Sequence, residues 1–257
     1  MIKDVTVLKI ERRNKKYRIY TTQGDYLLSE DAIIKFTVFK DKIFTRSEFK
    51  EIIAYEEQMQ LLNKTLRYLS YQPRSVDEIK KYLNNHSTDD NVLQSIIDKL
   101  TVYGYLDDEK FAESMLDYAI STRKGPVYVK NRLQIKGISD EIINNILAKY
   151  SEEQEKVLVE AIAAAYLRKN KGLSPIKLKT KLYQKLVRDG FSFDIVRHII
   201  NHTDFPAVSN DKLQSDLQKI ISGIKDNTKK AEQTVIKKMM SKGYTYREVL
   251  TALNEKE

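Results

Sequence analysis

Three glycines constrain this chain more than any other feature. Gly137, Gly190 and Gly243 stand 53 residues apart, and they are followed by Ile138-Ser139, Phe191-Ser192 and Tyr244-Thr245. Glycine supplies the left-handed position that ends a helix, an apolar residue after it packs back on the last turn, and Ser or Thr caps the next helix. Apolar side chains keep phase on both sides. Leu133, Leu186 and Met239 lie four residues before the glycines, and Val129, Leu182 and Val235 eight before. Ile143, Val196 and Val249 lie six after, and Leu147, Ile200 and Leu253 ten after. Such intervals put each set on one helix face. A further helical run precedes each pair: Phe111, Met115 and Ala119; Leu158, Ile162 and Ala165; Leu213, Leu217, Ile220 and Ile224. Each unit therefore has three helices. Units of this kind bury their faces mainly against neighbours, so a curved, elongated array is expected.

Upstream the plan is looser. Leu61 to Leu69 reads as a first helix, Ser75 as the cap of Val76 to Leu83, and Val92, Ile96 and Leu100 as the face of a third, with Asn84-Asn85 in place of the glycine. Before that the pattern is β-rich: Val5, Val7 and Ile10 precede the turn Arg13-Asn14-Lys15-Lys16, Tyr17, Ile19 and Tyr20 resume, and Gln23-Gly24-Asp25 turns again. This predicts a three-stranded meander, then a short helix capped by Ser29 with Ala32, Ile33, Ile34 and Phe36, a connection at Asp41-Lys42, and continuous helix from an N-cap at Ser47. The expected fold is mainly α, with boundaries at 1–46 for the β-rich region and 47–106, 107–150, 151–204 and 205–257 for four helical repeats.

Composition excludes several classes. The chain has no cysteine, so disulfides and thiolate zinc sites are out. His86, His198 and His202 are too scattered for a metal cluster, and the 198/202 pair reads as a helix surface near its end. There is no GxxxxGK[ST], HExxH or GxSxG, so neither a nucleotide loop nor a hydrolase is indicated, and no cofactor is expected. No apolar run approaches the roughly 18 residues of a membrane span. The first residues, MIKDVTVLKIERR, interrupt their apolar run with charge, unlike a signal peptide, so a cytoplasmic protein is expected.

Net charge is +9, from 45 Lys and Arg against 36 Asp and Glu, and the excess is unevenly placed. Between Asp117 and Asp140 there is no acidic residue, yet Arg123, Lys124, Lys130, Arg132 and Lys136 fall there. Between Glu160 and Asp189 there is again none, beside Arg168, Lys169, Lys171, Lys177, Lys179, Lys181, Lys185 and Arg188. The last unit has Lys229, Lys230, Lys237, Lys238, Lys242 and Arg247 against Glu232. The middle helix of each unit and the joint before it thus carry the cations, and stacking would line them into a stripe suited to a phosphate backbone or an acidic protein groove. The candidate contact residues are Arg74, Arg123, Lys124, Lys130, Arg132, Lys136, Lys177, Lys181, Lys185, Arg188, Lys237 and Lys238. Acidic residues gather instead at helix starts, so Asp107-Asp108-Glu109 reads as a cap rather than a paired-carboxylate site.

Several stretches carry a family resemblance. Pro73-Arg74-Ser75-Val76-Asp77-Glu78-Ile79, then Gly104-Tyr105-Leu106-Asp107-Asp108-Glu109-Lys110-Phe111-Ala112, and Lys136-Gly137-Ile138 before Ile142-Ile143 are similar to the RecX family, regulators of RecA-type recombinases. The likeness is close over about residues 60 to 147, and the rest resembles the longer forms. Tyr71-Gln72-Pro73 departs from it, where the family often has another basic residue. The resemblance implies a non-enzymatic negative modulator that lies along the groove of the recombinase filament on DNA and damps ATP hydrolysis, strand exchange and co-protease activity in DNA repair and the SOS response. Contact with single- or double-stranded DNA, no membrane, and a monomer are the accompanying expectations. The alternative is a winged-helix-like or helical-repeat protein acting on DNA directly, since Ser75 to Leu106 resembles a winged-helix motif. A wing needs a hairpin next, whereas the spacing of Phe111, Met115 and Ala119 is helical.

Overall fold

A computed structural model describes residues 4–87, 89–170, 173–224 and 229–254, with the side chains of Lys229 and Lys230 outside that description. By internal contacts the chain divides into two compact units, Met1–Phe111 with Lys136–Ile138, and Ala112–Ile135 with Ser139–Glu257.

The first unit begins with β1 (Val5–Arg13), β2 (Lys16–Thr21), β3 (Gly24–Ser29) and, after α1 (Glu30–Lys35), β4 (Ile43–Phe44). The sheet is antiparallel in the order β3-β2-β1-β4, so the expected three-stranded meander gains a fourth strand. β4 pairs Phe44 with Val5 and Ile43 with Thr6, and two residues are too few to leave an alternating pattern in the sequence. Asn14 turns the β1–β2 hairpin at φ 57, which its short polar side chain tolerates.

α2 (Arg46–Leu69) is capped two residues earlier than the expected Ser47: Thr45 is its N-cap, accepting from the Glu48 amide while Glu48 accepts from the Thr45 amide. The reciprocal pair outcompetes Ser47, which has no such partner three residues on. The front of α2 belongs to the sheet core, where Phe49 and Ile52 pack with Val5, Val7, Ile19, Leu28, Ala32, Val38 and Phe44. Its back half joins α3 (Val76–Asn84) and α4 (Asp90–Val102) around Leu61, Leu62, Ile79, Leu83, Ile96 and Leu100. Between them sits Glu56, buried but satisfied: it accepts from the Ser29 amide at 2.7 Å and from Lys16 at 2.9 Å, tying α2 to the strand ends.

Nine more helices complete the chain among the described residues: α5 (Asp108–Ser121), α6 (Pro126–Ile135), α7 (Asp140–Leu147), α8 (Glu152–Lys169), α9 (Pro175–Arg188), α10 (Phe193–His202), α11 (Asn210–Ile221), α12 (Lys229–Ser241) and α13 (Tyr246–Asn254). They run as tandem sets of three. The side chains four and eight residues before each glycine, Leu133, Leu186, Met239, Val129, Leu182 and Val235, are all buried, as are Ile143, Val196 and Val249 after them. A large apolar side chain fully withdrawn from water contributes on the order of 2 kcal/mol, so these positions hold each set together. The first helix of two sets is rotated from expectation. The buried residues of α5 are Ala112, Leu116 and Ala119, and those of α8 include Val159, Ile162 and Ala163. Phe111, Met115, Leu158 and Ala165 flank the buried line half-exposed, because a wide apolar face hides which row is deepest.

Gly137, Gly190 and Gly243 adopt φ of 71°, 82° and 91° at the predicted stops. Ser139 and Thr245 cap the helices that follow, accepting from the Ile142 and Glu248 amides. Ser192 occupies the cap position of α10 without capping it; its amide and hydroxyl both donate to the buried Glu155 of α8, at 2.5 and 2.9 Å.

Candidate binding surface on the middle helices and their joints

The N-termini of the first three middle helices each dock on the glycine turn of the next set. Ser75, the N-cap of α3, accepts from the Glu78 amide and donates its hydroxyl to the Lys136 carbonyl at 2.6 Å. Ser174, the N-cap of α9, accepts from Lys177 and donates to the Lys242 carbonyl at 3.2 Å. At α6 a glycine replaces serine, and the backbone makes the contact itself: the Gly125 amide donates to Asp189 and the Val127 amide to Gly190, both at 2.9 Å. A side chain at Gly190 would strike the Tyr128 backbone, and one at Gly125 the Gly190 backbone. The spaced glycines therefore end helices and also admit a neighbour.

These joints recruit several of the predicted cations as internal partners. Lys136 reaches Glu78 at 2.5 Å, Arg74 lies 3.5 Å from the same carboxylate, and the Arg74 guanidinium stacks 4.2 Å from the Tyr68 ring. Tyr68 in turn stacks on Tyr82 at 4.2 Å. Burial would raise the Glu78 carboxyl, but hydrogen bonds from Lys136 and the Ser75 amide, with the charges of Lys136 and Arg74, hold it below its usual range. Lys124 and Lys185 both grip Asp189 at 2.6 Å, one on each carboxylate oxygen. There too burial opposes ionisation, and the two lysines outweigh it and lower the carboxyl. Tyr150 donates to the Lys124 carbonyl at 3.2 Å; burial and Glu155 push its hydroxyl up to about 12. Lys177 is half-buried, its stem facing Gly243.

The remaining candidates point to water. Lys130, Lys181, Arg188, Lys237 and Lys238 are exposed and form no ion pair among the described residues, and Arg132 is exposed with its guanidinium 5.4 Å from the Tyr128 ring. Lys181 and Arg188 share a face of α9, seven residues apart. Arg123 is exposed in a left-handed turn, φ 57°. Of the further basic residues, Lys171 lies outside the described residues, as do the side chains of Lys229 and Lys230. The rings of His198 and His202 lie 4.2 Å apart and tilted by 35° at the end of α10, and no group of three His, Asp or Glu could hold a metal ion among the described residues. Nor is any helix there long and apolar enough to cross a membrane.

The buried carboxylates are not legible as such in the sequence. Asp216 of α11 accepts from the Tyr244 hydroxyl at 2.8 Å, Lys242 at 3.1 Å and Lys212 at 3.2 Å; although burial alone would raise it, these bonds lower it to about 2. Asp107 does cap α5, accepting from the Lys110 amide at 3.0 Å, whereas Asp108 accepts from the Val76 amide at the start of α3, at 2.9 Å. The sequence signal of Asp216 is an acidic residue on the apolar side of a helix. After Tyr103-Gly104-Tyr105 the chain enters α5, so the hairpin that a winged helix needs is replaced by helix.

Fold and surface together define a tandem three-helix-repeat protein with cation-bearing middle helices. Family models match three successive parts of it: the RecX first three-helix domain at residues 62–100, the second at 107–147 and the third at 152–200. Together they span half of the chain, which belongs to the RecX family. It is 29% identical over 261 residues to regulatory protein RecX of Staphylococcus haemolyticus, covering 98% of this chain and 97% of the relative. It is 29% identical to regulatory protein RecX of Streptococcus agalactiae, covering 96% and 99%. Among solved structures, a crystal structure of regulatory protein RecX covers 77% of this chain and all of its own, at 26% identity and a TM-score of 0.63. The structure of RecX from Lactobacillus salivarius covers 57% and 96%, at 29% identity and a TM-score of 0.52. Its relatives' shared name makes this a regulatory protein.

Proposed function

We propose that this protein is a non-enzymatic negative regulator of a RecA-type recombinase, binding along the groove of the recombinase filament on DNA and damping its ATP hydrolysis, strand exchange and co-protease activity. The reading rests on the succession of three RecX domains over residues 62–200. Its chemistry is supplied by the exposed cations of the middle helices, Lys130, Arg132, Lys181, Arg188, Lys237 and Lys238, which no carboxylate of the described residues neutralises. α6 and α9 contain no acidic residue at all. A bound regulator alters turnover in a filament by favouring one of its states by a few kcal/mol, with no catalytic group of its own. The protein works as a monomer in the cytoplasm on this reading, and contact with the filament's DNA accompanies contact with its protein.

The test compares affinity for bare single-stranded DNA with affinity for the nucleotide-bound recombinase filament on the same DNA. Markedly tighter binding to the filament is expected. Equal affinities would replace this reading with direct action on DNA.

A further inference from the structure

The turn after α5 and the C-terminal ends of α8 and α9 enclose a cleft of about 470 Å³ within the second compact unit. Arg123, Lys124, Lys169 and Lys185 line it, with Asp189 as the sole carboxylate among the described residues and Ile162, Ala165 and Tyr166 forming an apolar wall. Helix C-termini attract cations, which by itself accounts for lysines there. The magnitudes go further. Three helix ends contribute about −0.5 charge each, whereas four cations against one carboxylate leave an excess of three positive charges, so the cleft stays positive. Lys124 and Lys185 are held in place by Asp189, while Arg123 and Lys169 pair with no carboxylate among the described residues. Arg123 also keeps a left-handed backbone that costs a non-glycine residue about 1 kcal/mol or more.

An inorganic anion would need the cations alone, and an apolar ligand the wall alone. Side by side, in a volume that accommodates one base and its sugar phosphate, they suit a ligand with an aromatic plane and an anionic group. We propose that this cleft binds a single nucleotide, its phosphate taken by Arg123 and Lys169 and its base laid against Tyr166, Ile162 and Ala165. The ligand chemistry is the same for a free nucleotide and for one nucleotide of a single strand, and stacking of this kind tolerates any base. This deepens the basic-face reading, on which it rests for the location of the charge, but it requires no recombinase.

The full-length protein would be titrated against a fluorescein-labelled short oligothymidylate, with thymidine monophosphate, inorganic phosphate and an acidic peptide as competitors. R123E/K169E should weaken oligonucleotide binding by roughly tenfold or more and flatten the log–log salt dependence by about 0.7, the loss of one phosphate contact to a single strand. Y166A should weaken it by roughly tenfold at unchanged salt slope. K50E/K64E, which reverses two exposed cations of α2, makes the same change in net charge and should weaken binding less. Circular dichroism melts would confirm that each variant is folded. Competition by thymidine monophosphate well below the phosphate concentration needed for the same effect would support a nucleotide site. Equal loss in K50E/K64E, or wild-type affinity in R123E/K169E, would overturn it, as would competition by an acidic peptide but not by the mononucleotide. Because no filament is present, failure here leaves the regulatory reading standing, and failure of that reading leaves this binding measurable.

Discussion

The Ser75 hydroxyl donates to the Lys136 carbonyl at 2.6 Å while accepting from the Glu78 amide, so one fully buried side chain caps α3 and fastens it to a turn 61 residues away. Replacing an N-cap serine by alanine costs about 1 kcal/mol, and the carbonyl left without its donor adds to that. S75A should therefore lose roughly 2 kcal/mol in urea unfolding. An S75A midpoint equal to the wild type's would show that the joint contributes nothing.

Gly104 and Gly190 separate backbone strain from contact. Both have φ in the left-handed region, 72° and 82°, but a Cβ at Gly104 meets open space and one at Gly190 meets the Tyr128 backbone. G104A should cost about 1 kcal/mol, the conformational term alone. G190A should cost several times as much, and G125A, whose backbone is not left-handed, should also cost more than G104A because its Cβ would strike the backbone of Gly190 and Phe191. Equal costs for G104A and G190A would mean that the glycines serve only as helix stops.

Asp216 ties stability of the last repeat to acid. Its carboxyl is lowered from 3.8 to about 2, so the stability it contributes is complete above the ordinary carboxylate range and is lost as pH falls towards 2. D216N should be less stable at neutral pH by about 1–3 kcal/mol, with the Tyr244 hydroxyl and two lysines poorly partnered. Its unfolding free energy should also vary less than the wild type's between pH 4 and 2. Parallel pH profiles for the two proteins would rule out this role.

Asp189 holds Lys124 and Lys185 and is the one carboxylate of the cleft they line. D189N should therefore move two readouts in opposite directions: lower unfolding stability, through loss of a half-buried pair of ion pairs, and tighter binding of the oligothymidylate, through removal of a negative charge. A variant that is both less stable and weaker in binding would show that Asp189 shapes the cleft rather than neutralising it.

What the sequence disclosed and what it hid have separate physical causes. Helix stops, caps and buried faces are local, and Gly190, Thr245 and Leu186 could be assigned from their neighbours alone. Ion pairing at the joints is not local. Lys136 meets Glu78 across 58 residues and Lys124 meets Asp189 across 65, so a linear count of charge credits both lysines to a free surface that they only partly occupy. Glu56, Glu155 and Asp216 were missed for the complementary reason: a carboxylate on the apolar side of a helix looks solvated until the amide or hydroxyl it accepts from is brought to it by another helix or strand. β4 was missed because a two-residue strand has no period.

The same distinction sharpens which cations test the regulatory reading. Substituting Lys136 or Lys124 would disturb a joint as well as a surface, whereas Lys181 and Arg188 are exposed on one face of α9. The decisive measurement is single-stranded-DNA-dependent ATP hydrolysis by a RecA-type recombinase as this protein is titrated in. The wild type should suppress turnover, and K181E/R188E, folded by circular dichroism, should suppress it less at the same concentration and with weaker salt dependence. Unchanged hydrolysis at several-fold molar excess of wild-type protein over filament subunits would contradict the account.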